Sequence, residues 1–155
     1  MSDEYVKKAT GSIGAILFAC NLNAVRSAMA EAMVKSTFPG KIFTDSCGVR
    51  PGAPDGFAMA VMQEIDIDMA AHVPKSFADL DCEFYDVIIS FSKEADKAAQ
   101  ERVRNVDCET LYWPVDDLAD LQGSREERLV AYRAVRDDIA AKLGIYLDTK
   151  ITGKA

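Results

Sequence analysis

Cys20 and Arg26 stand six positions apart, with Asn21-Leu22-Asn23-Ala24-Val25 between them and Ser27 directly after. A near-continuous apolar run from Ile13 to Cys20 precedes them, and a helical pattern from Arg26 to Thr37 follows. A cysteine at the end of a strand, facing an arginine in the first turn of a helix, is well placed to hold a tetrahedral oxyanion. The turn can aim successive backbone N–H groups inward as an anion nest, and the helix N-terminus adds its positive end. The Arg26 guanidinium can grip two oxygens at once. The same field favours the thiolate form of a cysteine, which is the nucleophilic form. Cys20 would then attack a bound phosphate to form a phosphocysteine, and Ser27 could donate a hydrogen bond to the leaving sulfur. A chance Cys-x5-Arg is expected about 0.2 times in such a chain, so the flanking strand and helix give the spacing its meaning. The competing reading is a buried strand cysteine beside a surface arginine.

Ester cleavage also needs an acid to protonate the leaving oxygen and later to activate water. It should come from another loop at the same edge of the sheet. After Trp113-Pro114 the sequence offers Asp116 and Asp117, with Asp120 further on as a solvated turn residue.

These groups meet only if the chain forms a parallel sheet, whose ligand sites lie beyond the carboxyl ends of the strands. The pattern fits. Strands are expected at 13–20, 41–49, 84–91 and 110–113, and helices at 26–37, 57–66 and 93–103, with a short helical piece at 76–80. Pro39-Gly40 stops the first helix. Ser124 and Glu127 form a capping box for a last helix whose stripe is Leu129, Tyr132, Val135, Ile139 and Leu143. Alternation of this kind implies an α/β three-layer sandwich: a four-stranded parallel sheet with helices on both faces. The expectation is one domain over residues 1–155 with an ordered core at about 11–147, the ends fraying before Thr10 and after Leu147.

At 155 residues the chain has the usual size of one domain, and its 49% hydrophobic and 28% charged content excludes a largely disordered chain. No apolar run approaches the ~18 residues of a membrane span, and residues 1–10 lack a signal-peptide pattern. A cytoplasmic protein is expected, with no membrane partner. The net charge of -7 argues against a nucleic-acid surface. Cysteines at 20, 47, 82 and 108 show no tight pairing, so reduced thiols are expected, with no metal site and no cofactor.

The stretch from Leu17 to Ala32 resembles the phosphate-binding loop and first helix of the low-molecular-weight protein tyrosine phosphatases. Their pattern is approximately Phe-Val-Cys-x-Gly-Asn-x-Cys-Arg-Ser-Pro-Met-Ala-Glu-Ala. The resemblance continues through Ser46-Cys47-Gly48, Ile67 to His72, Asp86 to Ser90 and Trp113 to Asp117, and so covers about residues 13–143. It implies that Cys20 is the nucleophile, Arg26 the phosphate clamp and Asp117 the general acid. Residues Asn21, Leu22, Asn23, Ala24, Val25, Arg26 and Ser27 would bind phosphate. Asn23, Ser27, Ser46 and His72 match a network that supports the loop. His72 would thus be a hydrogen-bond prop; the plainer alternative is a surface imidazole. The implied substrate is a phosphorylated protein, above all phosphotyrosine, or a small phosphomonoester.

Four positions depart from the pattern. Leu22 replaces a glycine, and would be strained if that position needs a positive φ. Val25 replaces a cysteine that can trap an oxidised nucleophile as a disulfide. Ala28 replaces a proline. Leu118 replaces a proline after the acid, which leaves Asp116 as a rival acid. The aromatic residues that line the cleft in many members are sparse.

A related branch reduces arsenate with three cysteines, two of them at the end of the third strand and in the next helix. Residues 90–100 here contain no cysteine. An arsenate reductase using an external thiol is the first alternative. A catalytically weakened phosphate-binding regulatory module is the second.

Overall fold

The computed structural model describes residues 14–152, so Ile13 as a strand residue and the fraying before Thr10 concern positions outside the described ones. β1 (Ala15–Cys20) is buried along its whole length. Ile16, Phe18 and Cys20 enter one core, and Ala15, Leu17 and Ala19 enter another. That is the alternation of a strand covered on both faces. β2 (Phe43–Gly48), β3 (Val87–Ser90) and β4 (Glu109–Tyr112) complete a parallel sheet in the order β2-β1-β3-β4. The chain order reverses between β1 and β3, where ligands of open α/β sheets sit. Register aligns Cys20 with Gly48 and Ala19 with Ser90, bringing three strand ends together beneath that crevice.

Helices α1 (Arg26–Thr37), α2 (Gly56–Gln63) and α4 (Arg125–Thr152) cover one face. Helix α3 (Lys93–Arg102) covers the other with Ala95 and Ala99, beside two 3₁₀ turns that bring in Phe77 and Cys82. The sandwich therefore has helices on both faces, as the alternation implied. All five stripe residues of α4 from Leu129 to Leu143 are buried. Its start is the expected capping box: the Glu127 N–H donates to Ser124 Oγ, and the Ser124 N–H donates to Glu127 Oε1, both at 3.1 Å.

Some boundaries differ for identifiable reasons. Helix α2 ends at Gln63 rather than Asp66, because Asp66 takes a left-handed backbone at φ 63°. β3 begins at Val87 because Asp81 caps a 3₁₀ turn over Cys82–Phe84 through the Glu83 N–H. Helix α4 runs on to Thr152 instead of fraying at Leu147, which is itself buried. Asp86 was read only as part of a strand. Its carboxylate accepts the N–H groups of Gly14 and Ala15 at 2.8 and 2.9 Å, fixing where β1 begins. Among the described residues, no helix is long and apolar enough to cross a membrane.

Candidate active site

The loop between β1 and α1 is shaped by where its carbonyls go. Val49 N–H donates to Cys20 O, Arg50 N–H to Asn21 O and Gly52 N–H to Leu22 O, at 3.0, 3.1 and 2.8 Å. His72 Nε2 takes the fourth, Asn23 O, at 2.7 Å. In a trans peptide the C=O and the following N–H point opposite ways. Anchoring the carbonyls of residues 20–23 to the strap after β2 and to His72 therefore turns the N–H groups of residues 21–24 away from those anchors. The first turn of α1 adds its own N–H groups, since Val25 provides no side-chain cap. Such a loop has the form of an anion nest, formed by the residues between Cys20 and Arg26.

Asn23 makes the turn. Its φ of 57° lies in the left-handed region that asparagine tolerates. Its buried amide donates to Ser27 Oγ at 2.9 Å and Ser46 Oγ at 2.8 Å, and its Oδ1 accepts the Lys75 N–H at 3.0 Å. Leu22 does not take a positive φ, so the loss of glycine there strains nothing. The residue that must be glycine is Gly48. A Cβ on it would lie 2.7 Å from the carbonyl oxygens of Arg50 and Asn21 and 2.8 Å from Asn23 N. The strap and the loop can touch only across a bare Cα. Nothing in the local pattern of β2 announced this, beyond the Ser46-Cys47-Gly48 resemblance.

Behind the loop lies Glu31, which sequence reasoning missed. Its spacing from Lys35 reads as an ordinary i,i+4 surface pair, yet the residue is buried. Its carboxylate accepts Ser46 Oγ–H on one oxygen and meets the Lys35 ammonium on the other, with His72 Nδ1 at 3.9 Å. A carbonyl only accepts, so the bond to Asn23 O places the His72 proton on Nε2. The expected supports Asn23, Ser27, Ser46 and His72 are thus one connected network, with Glu31 as its anchor.

Cys20 sits at the base of the nest, with Sγ 3.0 Å from Ser27 Oγ. Arg26, also buried, is held by Nη1 donating to Phe91 O at 3.2 Å and Val115 O at 3.1 Å, from the loops after β3 and β4. Its Nη2 lies 3.7 Å from Asp117 Oδ2, and Asp117 is half exposed. Asp117 Oδ1 accepts the Ala119 N–H at 2.9 Å, which fixes the turn. Leu118 is buried in the main core, which holds the neighbouring Asp117 at the surface. Asp116 and Asp120 are solvent-exposed. Asn21 Oδ1 accepts Ser92 Oγ–H at 2.6 Å, joining the nest to the N-cap of α3. Ala24 and Val25, half-buried, complete the loop.

The arrangement can hold a tetrahedral dianion over a thiol, with the Asp117 carboxyl group beside the arginine. The remaining cysteines do not join it. Cys47 is fully buried and its side chain faces the α3 core, away from the Cys20 side chain; burial pushes its thiol well above the ordinary range. Cys82 lies in a 3₁₀ turn before β3, also raised by burial, and Cys108 lies before β4. Among the described residues no three His, Cys, Asp or Glu groups are arranged to hold a metal ion.

Proteins similar to this chain include arsenate reductases and phosphatases. One arsenate reductase of Halalkalibacterium halodurans is 26% identical over 86% of this chain and 95% of its own length. A glutaredoxin arsenate reductase of Synechocystis is 35% identical over 75 residues, 48% of this chain and 57% of that relative. A tyrosine phosphatase of Erwinia amylovora superposes with a TM-score of 0.75 at 20% identity, covering 89% of this chain and 93% of that one. Residues 15–153 match the family described as low molecular weight phosphotyrosine protein phosphatase. With the match running through nearly every element of the fold, the chain belongs to that family.

Proposed function

We propose that this protein is a cysteine-dependent phosphatase that hydrolyses phosphomonoesters, with protein phosphotyrosine as its substrate class. One observation carries the reading: Asp117, a half-exposed carboxyl group on the loop after β4, stands 3.7 Å from the buried Arg26 guanidinium, six residues after Cys20. A phenoxide or alkoxide leaving group needs a proton from the protein, and Asp117 is placed to give it.

Arg26 and the N–H groups of residues 21–24 bind the phosphate oxygens. The Cys20 thiolate attacks phosphorus, the bond to the ester oxygen breaks, and Asp117 protonates that oxygen as it leaves. Water then attacks the phosphocysteine, giving its proton to the Asp117 carboxylate. The phosphorus–sulfur bond breaks, and Ser27 Oγ–H donates to the departing thiolate.

Arsenate reduction is the rival, favoured by the names of the relatives at 26% and 35% identity. Arsenate would occupy the same nest. Cys20 would displace hydroxide from arsenic, and a second thiol would attack the Cys20 sulfur, leaving the electron pair on arsenic as arsenite. With Cys47 and Cys82 buried away from Cys20, that second thiol would be external. Purified protein assayed with p-nitrophenyl phosphate and, separately, with arsenate plus glutathione and glutaredoxin or thioredoxin tests the choice. Ester hydrolysis lost in Cys20→Ser supports the phosphatase; arsenite production without ester hydrolysis overturns it.

A further inference from the structure

The wall between the strap and the acid loop carries charge that the chemistry above does not use. Two routes along the chain lead to it from the nest. On the first, Gly52 N–H holds Leu22 O at 2.8 Å, and Asp55 then caps α2, whose first turn carries Phe57. On the second, Arg26 faces Asp117, Leu118 enters the core, and Gly123 O accepts Arg128 Nε–H at 3.1 Å. The routes meet at Phe57, where the Arg125 and Arg128 guanidinium carbons lie 5.7 and 5.9 Å from the ring centre. Tyr132 closes the contact, with its ring 5.3 Å from Phe57 and its hydroxyl donating to Asp55 Oδ2 at 2.8 Å.

Both cations are available to something outside the chain. Among the described residues, neither guanidinium is ion-paired. Of the carboxylates around them, Glu126 pairs with Arg133, while Asp55 and Glu127 accept from Tyr132, the Ala58 N–H and the Ser124 N–H rather than from either guanidinium. Contact with the Phe57 ring leaves both groups charged. The N-terminus of the long helix α4 adds positive potential at the same place. Across a chain of net charge -7, whose mean field repels anions, any attraction for an anion here comes from these two guanidinium groups at short range.

We infer that Arg125 and Arg128 form an anion-reading rim, and that the preferred substrate is a phosphotyrosine peptide with acidic residues beside the phosphorylated one. The inference rests on the phosphatase reading and deepens it. Phosphate chemistry alone would accept any ester. The stacked pair adds a second contact, made only when a carboxylate accompanies the phosphate.

The test compares two phosphotyrosine peptides of equal length, flanked by Glu in one and Gln in the other. At low salt the Glu peptide should show a kcat/KM roughly 3- to 10-fold higher, the scale of two exposed charge contacts. The ratio should fall toward unity as salt shortens the screening length. It should also collapse in the Arg125→Gln, Arg128→Gln double variant and persist in the Lys pair. Because the Arg125 side chain makes no hydrogen bond among the described residues, Arg125→Gln alone removes only charge and ring contact, and should lose part of the preference in a folded protein. Equal rates for the two peptides, or a preference that survives the double Gln variant, would overturn the rim. Peptide binding to Cys20→Ser, followed by fluorescence anisotropy, needs no turnover. Tighter binding of the Glu peptide without hydrolysis by the wild type would support the rim and sink only the phosphatase reading; equal binding would sink the rim.

Discussion

His72 Nε2 lies 2.7 Å from the carbonyl oxygen of Asn23, so the single histidine of the chain grips the left-handed residue of the loop between β1 and α1. Removing that donor leaves a carbonyl unpaired in a tight turn, at a cost of about 1–3 kcal/mol. His72→Ala should lower stability by that amount in urea denaturation. It should also weaken inhibition by vanadate about 10-fold, because the N–H of Ala24 is no longer aimed. An imidazole with no structural role would leave both measurements where they were.

Gly48 makes the harsher prediction. The Cβ of an alanine would lie 2.7–2.8 Å from three backbone atoms, none of which can swing aside as a side chain would. Gly48→Ala must separate the strap from the nest, at about 1–3 kcal/mol of overpacking. Activity toward p-nitrophenyl phosphate should fall more than stability does, since the shift lands on Asn21 and Asn23. Activity within twofold of wild type would mean that the strap does not shape the nest.

The fold was legible wherever burial imposes a period. β1 announced itself as an unbroken apolar run because both of its faces are covered, and α1 fell on Arg26–Thr37 as expected. The positions of Cys20, Arg26 and Asp117 were also legible, because strand ends in a parallel sheet share one edge. The anchors behind them were not. Glu31 looks like half of a surface ion pair, since spacing along a helix says nothing about what packs over it. Gly48 looks like any strand-end glycine until the loop that crosses it is in place. Leu118 looked like a defect in the acid loop, because a sequence does not reveal that the side chain turns inward.

Alkaline conditions should unfold this protein earlier than its net charge alone suggests. Burial raises the Cys47 thiol, and it raises the Tyr85, Tyr132 and Tyr146 hydroxyls, Tyr132 also through its bond to Asp55. A group whose pKa is raised in the native state keeps its proton there while the unfolded chain releases it. The associated stability is therefore complete below the unfolded pKa and is lost as pH rises beyond it. Cys47 should begin the loss above about pH 8.5 and the tyrosines should steepen it above about pH 10, each by up to ~1.4 kcal/mol per pH unit. Urea midpoints between pH 7 and 11 measure the curve. Cys47→Ala should flatten its first part, and an unchanged slope would show that this thiol is not the group responsible.

Asp117 should matter to the leaving group and little to the phosphate. Its carboxylate stands beside Arg26 at 3.7 Å, whereas Asp116 is exposed with no such neighbour. Asp117→Asn keeps the shape and the Ala119 turn but removes the proton. Turnover of phosphotyrosine should drop roughly 100- to 1,000-fold, within the range of general acid catalysis. The loss should be smaller for p-nitrophenyl phosphate, whose leaving group needs less help. Inhibition by inorganic phosphate should change little, or tighten as a negative charge leaves the rim. Asp116→Asn should behave as wild type. If Asp116→Asn is the crippled variant instead, the acid loop moves on substrate binding and the proton comes from the neighbouring residue.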